Sequence, residues 1–405
     1  MTEGNMSKLE KLIQQYCPDG VEYVPLSSIG TIKRGNGLQK KDFVKTGIGC
    51  IHYGQIYTKF GLFTDKTLTY VDKNLADHLL HIEKGDLVIA CTSENIEDVC
   101  KAVAWLGDDS IVTGGHSCVL HHNQNPKYIA YFFQTESFQR QKRKYAYGTK
   151  VIDIKPDSIG KIKIPVPPLP VQEEIVRVLD AFTELQAELQ AELQAELQKR
   201  KQQYNFYRDN LLNFKDINRG GQEIKWMKMS EIGNNLDKKR KPITAGKRES
   251  GQIPYYGASG IVDYVKDYLF DGDYLLVSED GANLLTRTYP IAFSIHGKTW
   301  VNNHAHVIEF KERATRKYVE YYLNSIDLSP WISAGAQPKL TQDSLNKLTI
   351  PVPPLAEQQR IVFILDRFDT LTNDLTSGLP AEMEKRRQQY EFYRDKLLTF
   401  KRKEA

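Results

Sequence analysis

IPVPPLPVQEEIVRVLDAF (residues 164–182) returns as IPVPPLAEQQRIVFILDRF (residues 350–368), and KRKQQYNFYRDNLLNF (199–214) returns as KRRQQYEFYRDKLLTF (385–400). Both recurrences share one offset, 350 − 164 = 385 − 199 = 186, without a gap, and 29 of the 51 positions in each copy are identical. Self-similarity on this scale marks a duplication. Ahead of each copy lies a divergent segment with a shared skeleton. VEYVPLSSIG (21–30) parallels IKWMKMSEIG (224–233), KGDLVIACTSE (from Lys84) parallels DGDYLLVSEDG (from Asp271), and KPDSIGKIKIPVPPL parallels TQDSLNKLTIPVPPL. The order is therefore variable domain, helix, variable domain, helix. The boundaries fall at 1–163, 164–216, 217–349 and 350–405.

The repeated segments read as long helices. After Ile175 the apolar positions are Leu179, Phe182, Leu185, Leu189, Leu193, Leu197, Tyr204, Tyr207, Leu211 and Phe214. Spacings of three, four and seven give one helical stripe. Pro167, Pro168 and Pro170 end the preceding strand and admit a helix directly after them. A helix from Gln172 to Phe214 would be about 64 Å long. With a single apolar seam it needs a partner, and the second copy is the obvious one, giving an antiparallel coiled coil. In that copy Ser377-Gly378-Leu379-Pro380 should kink or break the helix.

The variable segments alternate short apolar runs with Gly, Asn and Asp turns. DLVIACTS, SIVTGGHSCVLHH, YLLVSEDG, YPIAFSI and HAHVIEF read as strands. PKYIAYFFQTESFQRQKRK and TRKYVEYYLNSI each read as one amphipathic helix. The fold class is thus mixed α/β: two small strand-rich domains separated by two long helices, with pseudo-two-fold internal duplication.

Residues 184–198 read ELQA-ELQA-ELQA-ELQ. A period of four is not a heptad; each unit advances about 400° and rises about 6 Å. The array is either a solvated helix expanded by slippage or a ruler carried by Leu185, Leu189, Leu193 and Leu197. Its place between two domains favours the ruler.

With 405 residues, 40% hydrophobic, the chain is long for a single core. Its formal net charge of +4 neither demands nor excludes nucleic acid. No apolar run reaches the ~18 residues that span a bilayer, and residues 1–12 lack a signal-peptide core. The five cysteines are Cys17, Cys50, Cys91, Cys100 and Cys118. An odd number without CxxC fits reduced thiols and a cytoplasmic protein. His116, Cys118, His121 and His122, with Cys91 and Cys100, could supply zinc ligands, but no paired knuckle is present and the alternation favours buried strand residues.

Signs of catalysis are missing. Asn125-Pro-Lys-Tyr has Lys127 where the base-holding loop of adenine methyltransferases has a second proline. There is no phosphate loop, and Arg34-Gly-Asn-Gly reads as a turn. Pro156-Asp157 lacks the downstream carboxylate and lysine of a nuclease centre. Nor is there room for a further catalytic domain of ~200 residues.

The pattern IPVPPL…Q..IV..LD.F, leading through a tetrapeptide array to KR..QY.FYRD.LL.F, resembles the specificity (S) subunit of Type I restriction–modification enzymes. It resembles most the HsdS-like class with TAEL-like central repeats, here ELQA, and it includes that class's Ser-Gly-Leu-Pro break. The resemblance implies two target recognition domains, each reading half of a split asymmetric double-stranded DNA target. It implies two methyltransferase (M) subunits docked on the chain and restriction (R) subunits joining them. S-adenosylmethionine, ATP and Mg would belong to those partners, and this chain would bind no cofactor. A coiled-coil adaptor without DNA contact is the alternative reading.

Phosphate contacts need Lys and Arg, and base readout needs polar side chains on strand or loop tips. The candidates are Lys33, Arg34, Lys40, Lys41, Thr149 and Lys150 in the first domain. In the second they are Lys239, Arg240, Lys241, Lys247, Arg248, Gln337 and Lys339. The segments around Gly148 and Gly335 stand the same short distance before the IPVPPL markers, which singles out Lys150 and Lys339. Lys199, Arg200 and Lys201, matched by Lys385, Arg386 and Arg387, read as solvated or subunit-facing helix residues.

Overall fold

A computed structural model describes residues 6–214, 224–333, 337–374 and 377–403. Gly335 lies outside the described residues. The chain forms two compact units, residues 1–191 with 383–405, and residues 192–382. Each unit therefore joins one variable domain to the first part of one helical copy and the last part of the other.

The first unit holds two five-stranded sheets. One is ordered Gly30–Arg34, Ser117–His122, Leu87–Ala90, Ala102–Trp105, Phe63–Thr64. The other is ordered Phe43–Val44, Thr69–Val71, Ile48–Ile51, Ile111–Thr113, Leu80–Ile82. Leu87–Ala90 and Ala102–Trp105 are buried along their whole length, as strands covered on both faces must be. Cys91 follows one of these strands and Cys118 lies on its neighbour; the two are joined as a disulfide, where the sequence suggested reduced thiols throughout. Cys17, Cys50 and Cys100 are free and buried. The second unit holds one six-stranded sheet, ordered Asn234–Asn235, Ala305–Glu309, Phe270–Ser278, Ala292–Val301, Ser250–Gly257, Gly260–Val265.

Around these different sheets the duplicated frame repeats bond for bond. Each IPVPPL segment pairs antiparallel with the strand that opens its domain, with Tyr23 opposite Pro165 and Trp226 opposite Pro351. The flanking backbone bonds, Leu26 N to Ile162 O and Met229 N to Leu348 O, make these non-hydrogen-bonded positions. The proline's missing N–H would have pointed away from the ladder, so proline is tolerated there. Its carbonyl also points away, and a buried tyrosine claims it: Tyr128 Oη donates to Pro165 O (2.9 Å) and Tyr318 Oη to Pro351 O (2.6 Å). One turn along each tyrosine helix, Tyr131 bonds Asp180 (2.8 Å) and Tyr321 bonds Asp366 (2.6 Å). Gln172 and Gln358 close the proline turns by donating to Pro167 O (2.7 Å) and Pro353 O (2.8 Å).

The first helical copy is one helix, Leu169–Leu212. The second is broken as the sequence predicts, into Leu355–Asn373 and Leu379–Leu397. Gly378 N bonds Asp374 O (3.0 Å), and a Cβ on Gly378 would collide with the Thr370 carbonyl. In the first unit Thr183 meets Tyr390 (2.8 Å) and Phe182 meets Tyr393, so numbers rise on one helix as they fall on the other. In the second unit the pair recurs with the copies exchanged: Phe368 stacks on Tyr207, ring centres 5.4 Å apart. Leu398 enters the first unit's core and its counterpart Leu212 the second's.

Two expectations need correction. The segment 126–143 is two helices, Pro126–Phe132 and Glu136–Arg143. Thr135 breaks it, its hydroxyl accepting from Phe138 N (3.2 Å) as the N-cap of the second helix. The four array leucines do not share a seam: Leu185 is 62% exposed, Leu189 and Leu193 are intermediate, and Leu197 is 8% exposed. At ~40° of drift per unit they rotate through about 120°, so burial changes along the array.

Candidate nucleic-acid interface

In the first unit, Lys33 and Arg34 end the edge strand Gly30–Arg34. Arg34 grips Asp153 through both terminal nitrogens (3.0 and 2.7 Å), and its Nε donates to Gly115 O (2.9 Å). This fork–carboxylate geometry raises the guanidinium's affinity for its proton. Asp153 closes a loop by a backbone bridge to Tyr147, and Tyr147 Oη donates to the Asp153 carboxylate (3.1 Å). Gly148 adopts φ 114°, a left-handed conformation that glycine accepts without a Cβ clash. Thr149 and Lys150 stand exposed at the tip of this loop. Arg34 thus acts as a latch for the loop that presents Lys150.

Lys40 and Lys41 are exposed on the turn Lys40–Asp42, which Asp42 stabilises by accepting from Gln39 N (2.7 Å). Lys40 and Val151 border one cleft of about 830 Å³, lined also by His52, Tyr53, Tyr57 and His116. The ring of Tyr53 stands 4.5 Å from His52 and 4.7 Å from His116. Burial, with the charges of Lys40 and His116, holds the His52 imidazole below its ordinary pKa. Sequence reasoning did not find these aromatics; the short run His52-Tyr53-Gly-Gln-Ile-Tyr57 was their only trace.

In the second unit, Lys239 and Lys241 are exposed on either side of Arg240, and Lys247 and Gln337 are exposed on separate segments. Arg248 turns inward to Asp263 (3.0 Å) and covers the Tyr255 ring at 4.4 Å. Arg240 and Lys339, 99 positions apart, meet on one carboxylate: Glu279 Oε2 takes Arg240 (2.6 Å) and Oε1 takes Lys339 (3.0 Å). The backbone fixes the same meeting point, since Leu340 N donates to Glu279 O (2.8 Å) and Gly281 N to Pro338 O (3.1 Å). Behind Glu279 lies the fully buried His306. Its Nδ1 is 2.6 Å from Asp237 and its Nε2 is 2.8 Å from Leu340 O.

Asp237, Glu279 and His306 are metal-ligand types with one atom each within 4.8 Å of the others. Their ligand atoms are already committed: the two ring nitrogens of His306 are engaged by Asp237 and Leu340 O, and Val307 N donates to the other Asp237 oxygen (2.9 Å). Burial pushes the Asp237 and Glu279 carboxyls up, but hydrogen bonds from His306 to the first and from Arg240 and Lys339 to the second outweigh it. Both lie below the usual carboxylate range. The arrangement is a closed network of ion pairs and hydrogen bonds that holds a loop.

The remaining motifs fall to structural roles. Asn125 caps the helix Pro126–Phe132, its Oδ1 accepting from Lys127 N and Tyr128 N (3.0 and 3.2 Å). Gly37 and Leu38 form a left-handed turn after Arg34. Pro156 starts the helix Pro156–Gly160. His116, His121 and His122 have separate partners, Thr92 (2.9 Å), Asp86 (2.8 Å) and Gln124 N (3.1 Å). The reading of this run as one buried strand needs correction: His116 is exposed on the turn between Ile111–Thr113 and Ser117–His122, strands of different sheets, and His121 and His122 are half-buried. Among the described residues no helix is long and apolar enough to cross a membrane.

The family model described as the Type I restriction modification DNA specificity domain matches residues 18–199 and again 222–385. The EcoR124I/EcoR124II specificity subunit of Escherichia coli is 32% identical over 99% of this chain and 98% of its own length. A putative Type I specificity subunit of Haemophilus influenzae, S.HindORF215P, is 41% identical over 44% of this chain and 47% of its own. A solved chain, from work on complex assembly and conformational transition of the type I R-M system, shares the fold with TM-score 0.66 at 15% identity, covering 94% of this chain and 97% of that one. Two matches to one family model, one per copy of the duplication, and a full-length relative lead to one conclusion: the chain belongs to the Type I restriction–modification specificity subunits.

Proposed function

We propose that this chain reads a split, asymmetric sequence in double-stranded DNA, one half-site per variable domain, and passes that choice to partner subunits. The supporting observation is that two different sheets are held by one frame: the Tyr–Pro, Tyr–Asp and Gln–Pro bonds recur in each unit. A frame that repeats while its cargo diverges suits two readers of different half-sites. The readers are residues 1–163 and 217–349, and the spacers 164–216 and 350–405. In the first reader, Lys40, Lys41, Thr149 and Lys150 face the duplex around the aromatic cleft. In the second, Lys239, Lys241, Lys247 and Gln337 do so. The ELQA array sets the gap between half-sites.

Two methyltransferase subunits dock on the helical copies. What supports this is an exposed Phe–Tyr pair present twice. Phe206 and Phe392 are 64% and 62% exposed, and each meets its neighbouring tyrosine edge to face at 5.6 and 5.4 Å. Large exposed aromatics retained in both copies suit a partner that presents one surface twice. Restriction subunits join that assembly in the cytoplasm. S-adenosylmethionine, ATP and Mg are bound by these partners. The test is to map methylated adenines in cells carrying the chain with its partners, before and after exchange of residues 217–349 for another reader. A split motif altered on one side only is expected. An unchanged motif, or no motif, overturns the reading.

A further inference from the structure

Arg240 and Lys339 are the cations that basic-cluster reasoning would send to DNA, yet both are held by one carboxylate. Glu279 is 8% exposed, and its two oxygens are divided between them at 2.6 and 3.0 Å. Arg240 is held further by Ala305 O (2.7 Å) and Asp237 O (3.2 Å). Lys339 has no such second hold on its ammonium among the described residues, and 47% of its side chain is exposed. We propose that Glu279 is a discriminating residue of the second reader, withholding Lys339 from phosphates of unmatched DNA and releasing it only on the matched half-site.

Affinity for random duplex is mostly phosphate neutralisation, and each phosphate gained steepens the log–log salt dependence by about 0.9. A carboxylate paired to a surface lysine subtracts from that term on every sequence. On a matched half-site, base contacts by the neighbouring Lys239, Lys241 and Gln337 press the duplex against the 337–340 segment, where phosphate can replace Glu279. The exchange frees only Oε1 of Glu279; Oε2 stays paired with Arg240 at 2.6 Å, with His306 Nδ1 at 3.7 Å, so the carboxylate keeps its place. The carboxylate thus lowers unspecific binding more than specific binding. Specificity is the difference between the two, so a repulsive element sharpens it.

The inference rests on the second domain being a DNA reader, and the experiment separates the two. With methyltransferase subunits present, the complex carrying Glu279→Gln is titrated with matched duplex, with duplex altered in either half-site, and with random duplex across a salt series. Random-duplex affinity should rise about tenfold at low salt and its slope steepen by about one. Discrimination should fall at the second half-site and stay unchanged at the first. Lys339→Met, which leaves the Glu279–Arg240 pair intact, is the second variant: random-duplex affinity should stay unchanged while matched-duplex affinity falls. Equal losses on matched and random duplex in Lys339→Met, or unchanged slope and discrimination in Glu279→Gln, overturn the proposal. If Lys239→Glu and Lys241→Glu also leave all DNA affinities unchanged, the reader assignment itself has failed.

Discussion

Replacing Tyr128 with Phe removes one oxygen from a side chain that is wholly buried, and strands the outward carbonyl of Pro165. That carbonyl faces away from the Tyr23 strand, so no ladder bond takes over, and water is excluded. A buried acceptor left unpaired costs about 1–3 kcal/mol, against roughly 1 kcal/mol for an exposed hydrogen bond. In a unit of this size each kcal/mol lowers the melting temperature by about 2–4 °C. Tyr318→Phe does the same in the second unit, where the bond is shorter. The variants share no hydrogen-bond partner, so the double variant should show the sum of the two losses within about 0.5 kcal/mol. Urea unfolding followed separately by aromatic fluorescence and by protease sensitivity gives the free energies. Tyr128→Phe should weaken binding to duplexes matched in the first half-site, and Tyr318→Phe to those matched in the second. Losses under 0.5 kcal/mol in both variants would show that the proline carbonyls need no partner, and the frame would not be what seats the readers.

Removing one ELQA unit shortens the helix by about 6 Å and turns it by about 40°. The recognised gap should therefore change by one or two base pairs with both half-sites kept, as methylome sequencing would show. Phe206→Ala and Phe392→Ala should leave the melting temperature within about 1 °C, since both rings are already exposed, and should weaken methyltransferase co-purification additively. Lys150→Glu at the loop tip should lower affinity for every duplex and reduce the salt slope by about one, measured by fluorescence anisotropy. His122 is pushed down by burial to about 4 from 6.5. The unfolded imidazole takes up a proton that the folded one refuses, so the first unit loses stability as pH falls from about 6.5 towards 4. His122→Gln should flatten that slope in unfolding curves recorded across the range.

The frame could be read from sequence because it was written twice: an identical offset of 186 needs no structural knowledge to find. The 44-residue helix followed from its helical spacing and its prolines, and the break before Pro380 from glycine and proline chemistry, while the single apolar seam expected along the ELQA array did not hold. The site was less legible, because sequence shows charges and not their partners. Arg34, Arg240 and Arg248 looked like phosphate ligands, but Asp153, Glu279 and Asp263, at separations of 119, 39 and 15 residues, claim them. Lys40, Thr149 and Lys150 stay exposed because their loops are closed by backbone bonds and caps instead. The break at Thr135 was missed because Tyr131 and Phe138, seven positions apart, keep helical spacing across the polar residues between them. The Cys91–Cys118 pair depends on which strands are neighbours, and single-chain periodicity does not carry that.

Leu398 and Leu212 sit in cores that the preceding domain of their own copy does not build. The chain is therefore interlaced: the first core draws on both ends of the polypeptide, and the second, contiguous from Leu212 to Leu365, straddles the boundary between the copies. A chain cut between the copies should fold only when both fragments are present together. A single fragment taken twice could supply its own missing tail across a symmetry axis. Such a homodimer would carry two identical readers facing opposite ways along the duplex, and its preferred sequence would be an interrupted palindrome. Asymmetry of the target is thus a property of the divergence between the copies, while the interlacing that joins them is indifferent to it.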